Sequence, residues 1–229
     1  MVEINWQSRA ISRKKKTSVT DCALVTCFAV TLLLIFLFYH FVDIPVAIFC
    51  KQLDQNILNV FEWITMFGIS TWYLVTSLFL FAIFHFYLKN RINANRALFI
   101  FLAVALSGIV ANLVKLTFAR YRPKLFFDKG LYGFGFFNVG YENNSFPSGH
   151  VVTIFSLAAA MSLFWPKYRV YFFVVAFAVA LSRIVLTSHF VSDVIAGAFI
   201  GALTVLLLKK YIPDRFSTQE KPAEDSLLK

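Results

Sequence analysis

The chain has 229 residues, 59% of them hydrophobic and only 15% charged, with a mean hydropathy of +0.70 and a formal net charge of +10. A soluble domain is about half apolar and a quarter charged, so this composition excludes an ordinary water-soluble globule and points to a bilayer as solvent. The positive charge does not indicate nucleic acid, because much of it lies beside apolar runs, where it orients membrane spans.

In chain order, Arg13, Lys14, Lys15 and Lys16 precede an apolar run over 22–42. That is about the 20 residues a span needs. It is too long for a cleaved signal and ends in Phe38, Tyr39, His40 and Phe41 rather than small residues, so it reads as a retained span. Residues 43–68 carry Asp43, Asp54 and Glu62 against Lys51, and Ile57, Phe61 and Ile64 recur at helical spacing. This predicts an amphipathic helix on the membrane surface or a connector packed on the bundle. Further apolar stretches at 69–88, 97–118, 149–165, 170–186 and 190–209 bring the predicted spans to six. The division between the last two rests on Arg183, Ser188, His189 and Asp193. The expected fold is an all-α, six-transmembrane-helix bundle over 22–212. A basic N-terminus over 1–21 precedes it, and a polar, disordered tail over 213–229 follows.

Basic residues cluster before the first span, between the second and third (Lys89, Arg91, Arg96), between the fourth and fifth (Lys167, Arg169) and after the sixth (Lys209, Lys210, Arg215). Six spans put all four clusters on one side, which the positive-inside rule makes cytoplasmic. Both termini are then expected in the cytoplasm, in the inner (plasma) membrane. The segment 119–148, rich in Gly, Phe and Asn, falls on the periplasmic side. It nevertheless carries Arg120, Arg122, Lys124 and Lys129 against that rule, and misplaced charge marks function. Tyr121 and Arg120 read as interfacial anchors, Pro123 as a helix stop, and the stretch 126–144 as a packed lid or an acyl or sugar contact. The three cysteines, Cys22, Cys27 and Cys50, have a spacing that suits neither zinc nor disulfides, and read as small hydrophobes.

Three groups fall on the periplasmic side together: Lys115 through Arg122 and Pro123, then Pro147 to His150, then Ser182, Arg183, His189 and Asp193. Lys115, Arg122 and Arg183 are fixed cations that suit phosphate oxygens. Ser148 reads as a helix N-cap, with the amides of Gly149 and His150 at the positive helix end, a ready anion site. Gly149 leaves room for close approach. His189 and Asp193 are four apart, one turn on a helix face, so the carboxylate can fix the imidazole tautomer and leave the other nitrogen free to attack. His150 suits protonation of a leaving oxygen.

The pattern K-x6-R-P, P-S-G-H and S-R-x5-H-x3-D, complete here at 115–123, 147–150 and 182–193, resembles that of the type 2 phosphatidic acid phosphatase family. The resemblance implies a metal-independent membrane lipid phosphatase working through a phosphohistidine. His189 would be the nucleophile, Asp193 its orienting base and His150 the acid. Lys115, Arg122, Ser148, Gly149 and Arg183 would be the phosphate cradle, with Ser182 supporting Arg183. It also implies a lipid phosphate substrate: phosphatidylglycerol phosphate, phosphatidic acid, undecaprenyl diphosphate or lipid A 1-phosphate. The chain is similar to bacterial lipid A 1-phosphatases and phosphatidylglycerophosphatase B-type enzymes. No metal or other cofactor is expected, since Asp193 stands without a carboxylate cluster. The rival readings are a lipid phosphotransferase using the same phosphohistidine, and a non-catalytic lipid-binding or transport protein. A vanadate-dependent haloperoxidase is set aside because those relatives are soluble.

Overall fold

The structure, a computed structural model, describes residues 3–138 and 140–212, with side chains from 22 onward apart from that of residue 141. The predicted tail over 213–229 lies outside them. Among the described residues there is no strand, and the expected all-helical class holds. The helices are α1 Glu3–Phe41, α2 Asp43–Lys51, α3 Gln55–Thr65, α4 Ser70–Ala82, α5 Arg91–Phe118, α6 Pro123–Lys129, α7 Gly149–Phe164, α8 Arg169–Val185 and α9 Val191–Tyr211. Five stretches are long and apolar enough to cross a membrane: Cys22–Phe41, Gln55–Tyr87, Arg91–Phe118, Pro166–Val185 and Val191–Tyr211. α7 is equally apolar but has only 16 residues, a rise of about 24 Å against a hydrocarbon core of about 30 Å.

That short helix is the centre of the molecule. α7 packs on α5, α8 and α9, and buries Val151, Val152, Ile154, Phe155, Ala158 and Ala160. A helix covered on several sides by protein needs no polar face. Its contact with α9 is close because Gly197 and Gly201 face it. A Cβ on Gly201 would lie 2.5 Å from the Val152 carbonyl oxygen and 2.9 Å from the Ser156 nitrogen. α1 lies at the other extreme: Val25, Phe28, Leu33 and Phe36 are all at least half exposed. Hydrocarbon rather than water suits such a face.

Two local expectations are corrected. The segment 43–68 is not one surface helix but a broken connector packed on the bundle, the other of its two expected forms. It breaks at Gln52 to Asp54, where the Asp54 side chain accepts a hydrogen bond from the Asn56 nitrogen at 2.7 Å and starts α3 afresh. α3 then packs on α8. Pro123 does not stop α5, which ends at Phe118 with Ala119 in the left-handed region (φ 43°). Pro123 opens α6 at its first position, where the missing N–H costs nothing. The stretch after α6 folds back: Phe134 bridges to Arg120, and Tyr132 and Phe134 stack on Tyr39 of α1 at 4.8 and 5.6 Å. The part of 126–144 around Tyr132 and Phe134 is thus packed against α1, while Phe136 and Phe137 stay exposed.

Candidate active site

The three predicted groups meet at one end of the bundle, because α5 and α8 end there and α7 and α9 begin there. After α8 the chain turns sharply: Thr187 is left-handed (φ 46°), and the nitrogens of Ser188 and His189 donate to the Arg183 carbonyl at 3.1 and 3.2 Å. The turn delivers His189 just ahead of α9, with only 4% of its surface exposed. Its Nδ1 lies 2.8 Å from the Ser145 carbonyl oxygen. A carbonyl can only accept, so Nδ1 carries the hydrogen and Nε2 keeps its lone pair. Burial pushes His189 down to about 3, although the Asp193 carboxylate works the other way, so the ring is neutral at physiological pH.

Asp193 is in the first turn of α9, where one carboxylate oxygen, Oδ2, accepts from the Phe190 nitrogen at 2.9 Å and from the Ser145 hydroxyl at 2.5 Å. The expectation that His189 and Asp193 share a helix face is corrected, since His189 precedes the helix. The two side chains are nonetheless adjacent, Nδ1 to Oδ2 at 3.7 Å. At that distance the hydrogen bond that fixes the imidazole is the one to the Ser145 carbonyl, and Ser145 joins ring and carboxylate.

The largest departure from the sequence reading is Arg120. Read there as an interfacial anchor, it is fully buried. Its Nη1 donates to Asp193 Oδ1 at 2.5 Å and its Nη2 to Asp43 Oδ2 at 2.8 Å. Asp43, which the sequence offers only as one of the charges of the 43–68 segment, is also fully buried. No local pattern announces a pair 77 residues apart; the only signal was a cation placed against the orientation rule.

The cations and the start of α7 complete the arrangement. Lys115 Nζ donates to the Asn144 carbonyl at 2.8 Å. A Cβ on Gly149 would point at Lys115, 3.9 Å from its Cε, so glycine keeps clear the space between the helix start and the ammonium. Ser148 stands at the N-cap position but makes no side-chain cap bond. Its backbone nitrogen donates to the Asp193 carbonyl at 3.1 Å, and its buried hydroxyl has no protein partner among the described residues. Arg183, 9% exposed, reaches Thr65 of α3 at 2.6 Å. Ser182 does not brace Arg183 by its hydroxyl, which bonds back to the Val179 carbonyl at 2.6 Å. Lys115, Arg122 and Arg183 are all close enough to His150 to act on its charge. Arg122 also lines a polar outer cavity of about 340 Å³ with Thr187 and Ser188.

His150 faces the other way, into a cavity of about 490 Å³ between α4, α5 and α7. Lys115, Gly149 and His150 form its polar end, and Leu74, Val104 and Ile109 are among its apolar walls. Gly68 approaches His150 so closely that an added Cβ would fall 2.6 Å from the imidazole Cδ2.

The sequence profile of the PAP2 superfamily matches residues 96–217. A lipid A 1-phosphatase of Rhizobium johnstonii is 34% identical over 191 residues, 79% of this chain and 78% of its own length. The fold resembles a transmembrane PAP2-type phosphatidylglycerolphosphate phosphatase from Bacillus subtilis, with a TM-score of 0.62 and 20% identity over 86% of this chain and 98% of that one. It also resembles LpxE of Aquifex aeolicus, with a TM-score of 0.53 and 20% identity over 74% of this chain and 95% of that one.

Proposed function

Because the chain belongs to the PAP2 superfamily, we propose that it hydrolyses the phosphate of a membrane lipid at this site, through a phosphohistidine on His189 and without a metal. The observation that carries this reading is the His189 tautomer, a buried neutral ring with Nδ1 held by the Ser145 carbonyl and a lone pair left on Nε2. Binding a phosphate calls for cations; a nucleophile held in this way goes beyond binding.

The phosphate lies among Lys115, Arg122, Arg183, the Ser148 hydroxyl and the amides at the start of α7, which offset charge on the equatorial oxygens. His189 Nε2 attacks phosphorus in line. The bond to the leaving alcohol breaks, and His150, held as the imidazolium by the bound phosphate, whose negative charge offsets the three cations beside it, gives that oxygen its proton. Water enters on the same side, His150 takes its proton, and the P–N bond breaks to release phosphate and restore His189. The cavity walled by Leu74, Val104 and Ile109 holds the lipid, with its phosphate at the His150 end. The three cations supply the positive charge that a divalent ion supplies in other phosphatases.

We place the site on the periplasmic side of a six-span bundle in the inner membrane, with both termini cytoplasmic. The bundle takes in 22–212, and 1–21 and 213–229 are cytoplasmic extensions. Among candidate lipids, lipid A 1-phosphate comes first, since a relative similar over most of both chains is a lipid A 1-phosphatase. Phosphatidylglycerol phosphate, phosphatidic acid and undecaprenyl diphosphate follow. The test is phosphate release by purified protein from each of these lipids, with excess chelator and no acceptor alcohol. Release, abolished in His189→Ala, is expected. Silence until an acceptor is added would mean a phosphotransferase, and activity lost to chelator would end the metal-free claim.

A further inference from the structure

Asp43 lies outside the stretch matched by the family profile, which begins at residue 96, yet it reaches the catalytic centre through one buried arginine. We propose that Asp43 and Arg120 form a positioning pair that fixes the Asp193 carboxylate and leaves its negative charge available to His189 during phosphoryl transfer. The inference rests on the function proposed above and extends it to α2.

Both terminal guanidinium nitrogens of Arg120 are engaged, while its buried Nε has no hydrogen-bond partner among the described residues. Arg120 spans two carboxylates, Asp193 through Nη1 and Asp43 through Nη2. Nη1 also donates to the Ser192 hydroxyl at 2.6 Å, and Nη2 to the Tyr132 hydroxyl at 3.1 Å. Asp43 in turn accepts from the Ser192 nitrogen at 2.9 Å and from the Ser192 hydroxyl at 2.5 Å. The guanidinium carbon lies 4.6 to 5.5 Å from the ring centres of Phe190, Tyr39, Tyr132 and Phe134. All three charged side chains have no exposed surface.

Such a cluster is a poor way to gain stability. Desolvating three charges costs several kcal/mol each, and apolar side chains of equal volume often do as well. What the cluster supplies is a fixed charge balance. Bond formation at Nε2 turns His189 into a cationic phosphoimidazolium, which a nearby negative charge stabilises. Arg120 alone beside Asp193 would cancel that charge. With Asp43 present, one cation serves two carboxylates, and a net negative charge remains 3.7 Å from the ring. Arg120 takes Oδ1, so Oδ2 is the oxygen left to face Ser145 and His189.

The experiment compares steady-state kinetics of full-length protein in detergent micelles, using the lipid phosphate on which the wild type is active. Asp43→Asn keeps volume and hydrogen bonding but removes the balancing charge. Its kcat is expected to fall about tenfold with KM within about twofold. Arg120→Lys keeps the charge but cannot hold both carboxylates, and it should show the same split. A merely structural pair would lower the thermal transition and leave kcat per folded molecule intact. Either variant with a cooperative thermal transition and wild-type kcat, or a loss confined to KM, overturns the proposal. Should Asp43→Asn fail to fold, Arg120→Lys decides. If wild-type protein releases no phosphate from any lipid, the proposed function fails and takes this inference with it. If wild type and His189→Ala behave as proposed but these variants match wild type, this inference alone fails.

Discussion

Replacing Ser148 by alanine separates a role in the site from a role in the fold. An ordinary N-cap serine stabilises its helix, and its loss costs about 0.5–2 kcal/mol. Ser148 makes no cap bond, and its hydroxyl is buried without a protein partner among the described residues. A buried unsatisfied group costs about 1–3 kcal/mol, so removing it should stabilise the empty protein by up to that amount. For a chain of 229 residues each kcal/mol moves the thermal midpoint by about 2–4 °C. Ser148→Ala should therefore melt at or above the wild-type temperature. With substrate bound, the same hydroxyl would meet a charged phosphate oxygen, and such a bond contributes about 1.5–3 kcal/mol. Its loss lowers kcat/KM by roughly 10- to 150-fold at 1.4 kcal/mol per factor of ten. The assays are a melting curve in detergent and phosphate release from a lipid phosphate. A variant that melts several degrees lower while keeping wild-type turnover would show that Ser148 is a cap after all, and would remove it from the cradle.

Two further outcomes test the packing and the buried imidazole. Gly201→Ala places a carbon 2.5 Å from a backbone oxygen that cannot step aside, so it should destabilise by at least about 1–3 kcal/mol. Gly108→Ala meets nothing within 4 Å and serves as the control, neutral or stabilising by up to about 1 kcal/mol; equal melting of the two would contradict the α7–α9 contact. His189 sits near 3 in the folded protein against 6.5 when unfolded. Acid therefore protonates the unfolded chain first, and stability falls as pH drops below 6.5 and on toward 3. The slope from this group is at most about 1.4 kcal/mol per pH unit. Melting curves between pH 6 and 4 should show that slope reduced in His189→Asn; an unchanged slope would mean that the ring is not buried in its neutral form.

The parts of this protein legible in its sequence are those where one local signal is enough. Apolar runs of span length gave α5, α8, α9 and the apolar part of α1 over Cys22–Phe41 to within several residues, because hydrocarbon solvent allows little else, but not the helical stretch of α1 that begins at Glu3. Motif spacing together with alternating helix direction brought Lys115, Ser148, Arg183 and His189 to one end. Contacts that depend on tertiary partners were not legible. Asp54 looked like one more surface acid but caps a new helix. Ser148 has the residue type of a cap, and its hydroxyl is turned away from that task. The Ser145 carbonyl holds His189, a role for which a backbone atom leaves no trace in residue identity. Asp43 and Arg120 are far apart in sequence, and only the folded chain, with Tyr132 and Phe134 packed on Tyr39 around them, shows why the two opposite charges belong together.

The proposed reaction passes phosphorus through His189. It is tested most directly by the stereochemical course of hydrolysis with an isotopically chiral phosphorothioate lipid. Two in-line displacements, first by Nε2 and then by water, predict retention of configuration at phosphorus, whereas inversion would mean that water attacks the lipid phosphate directly and that His189 never carries it.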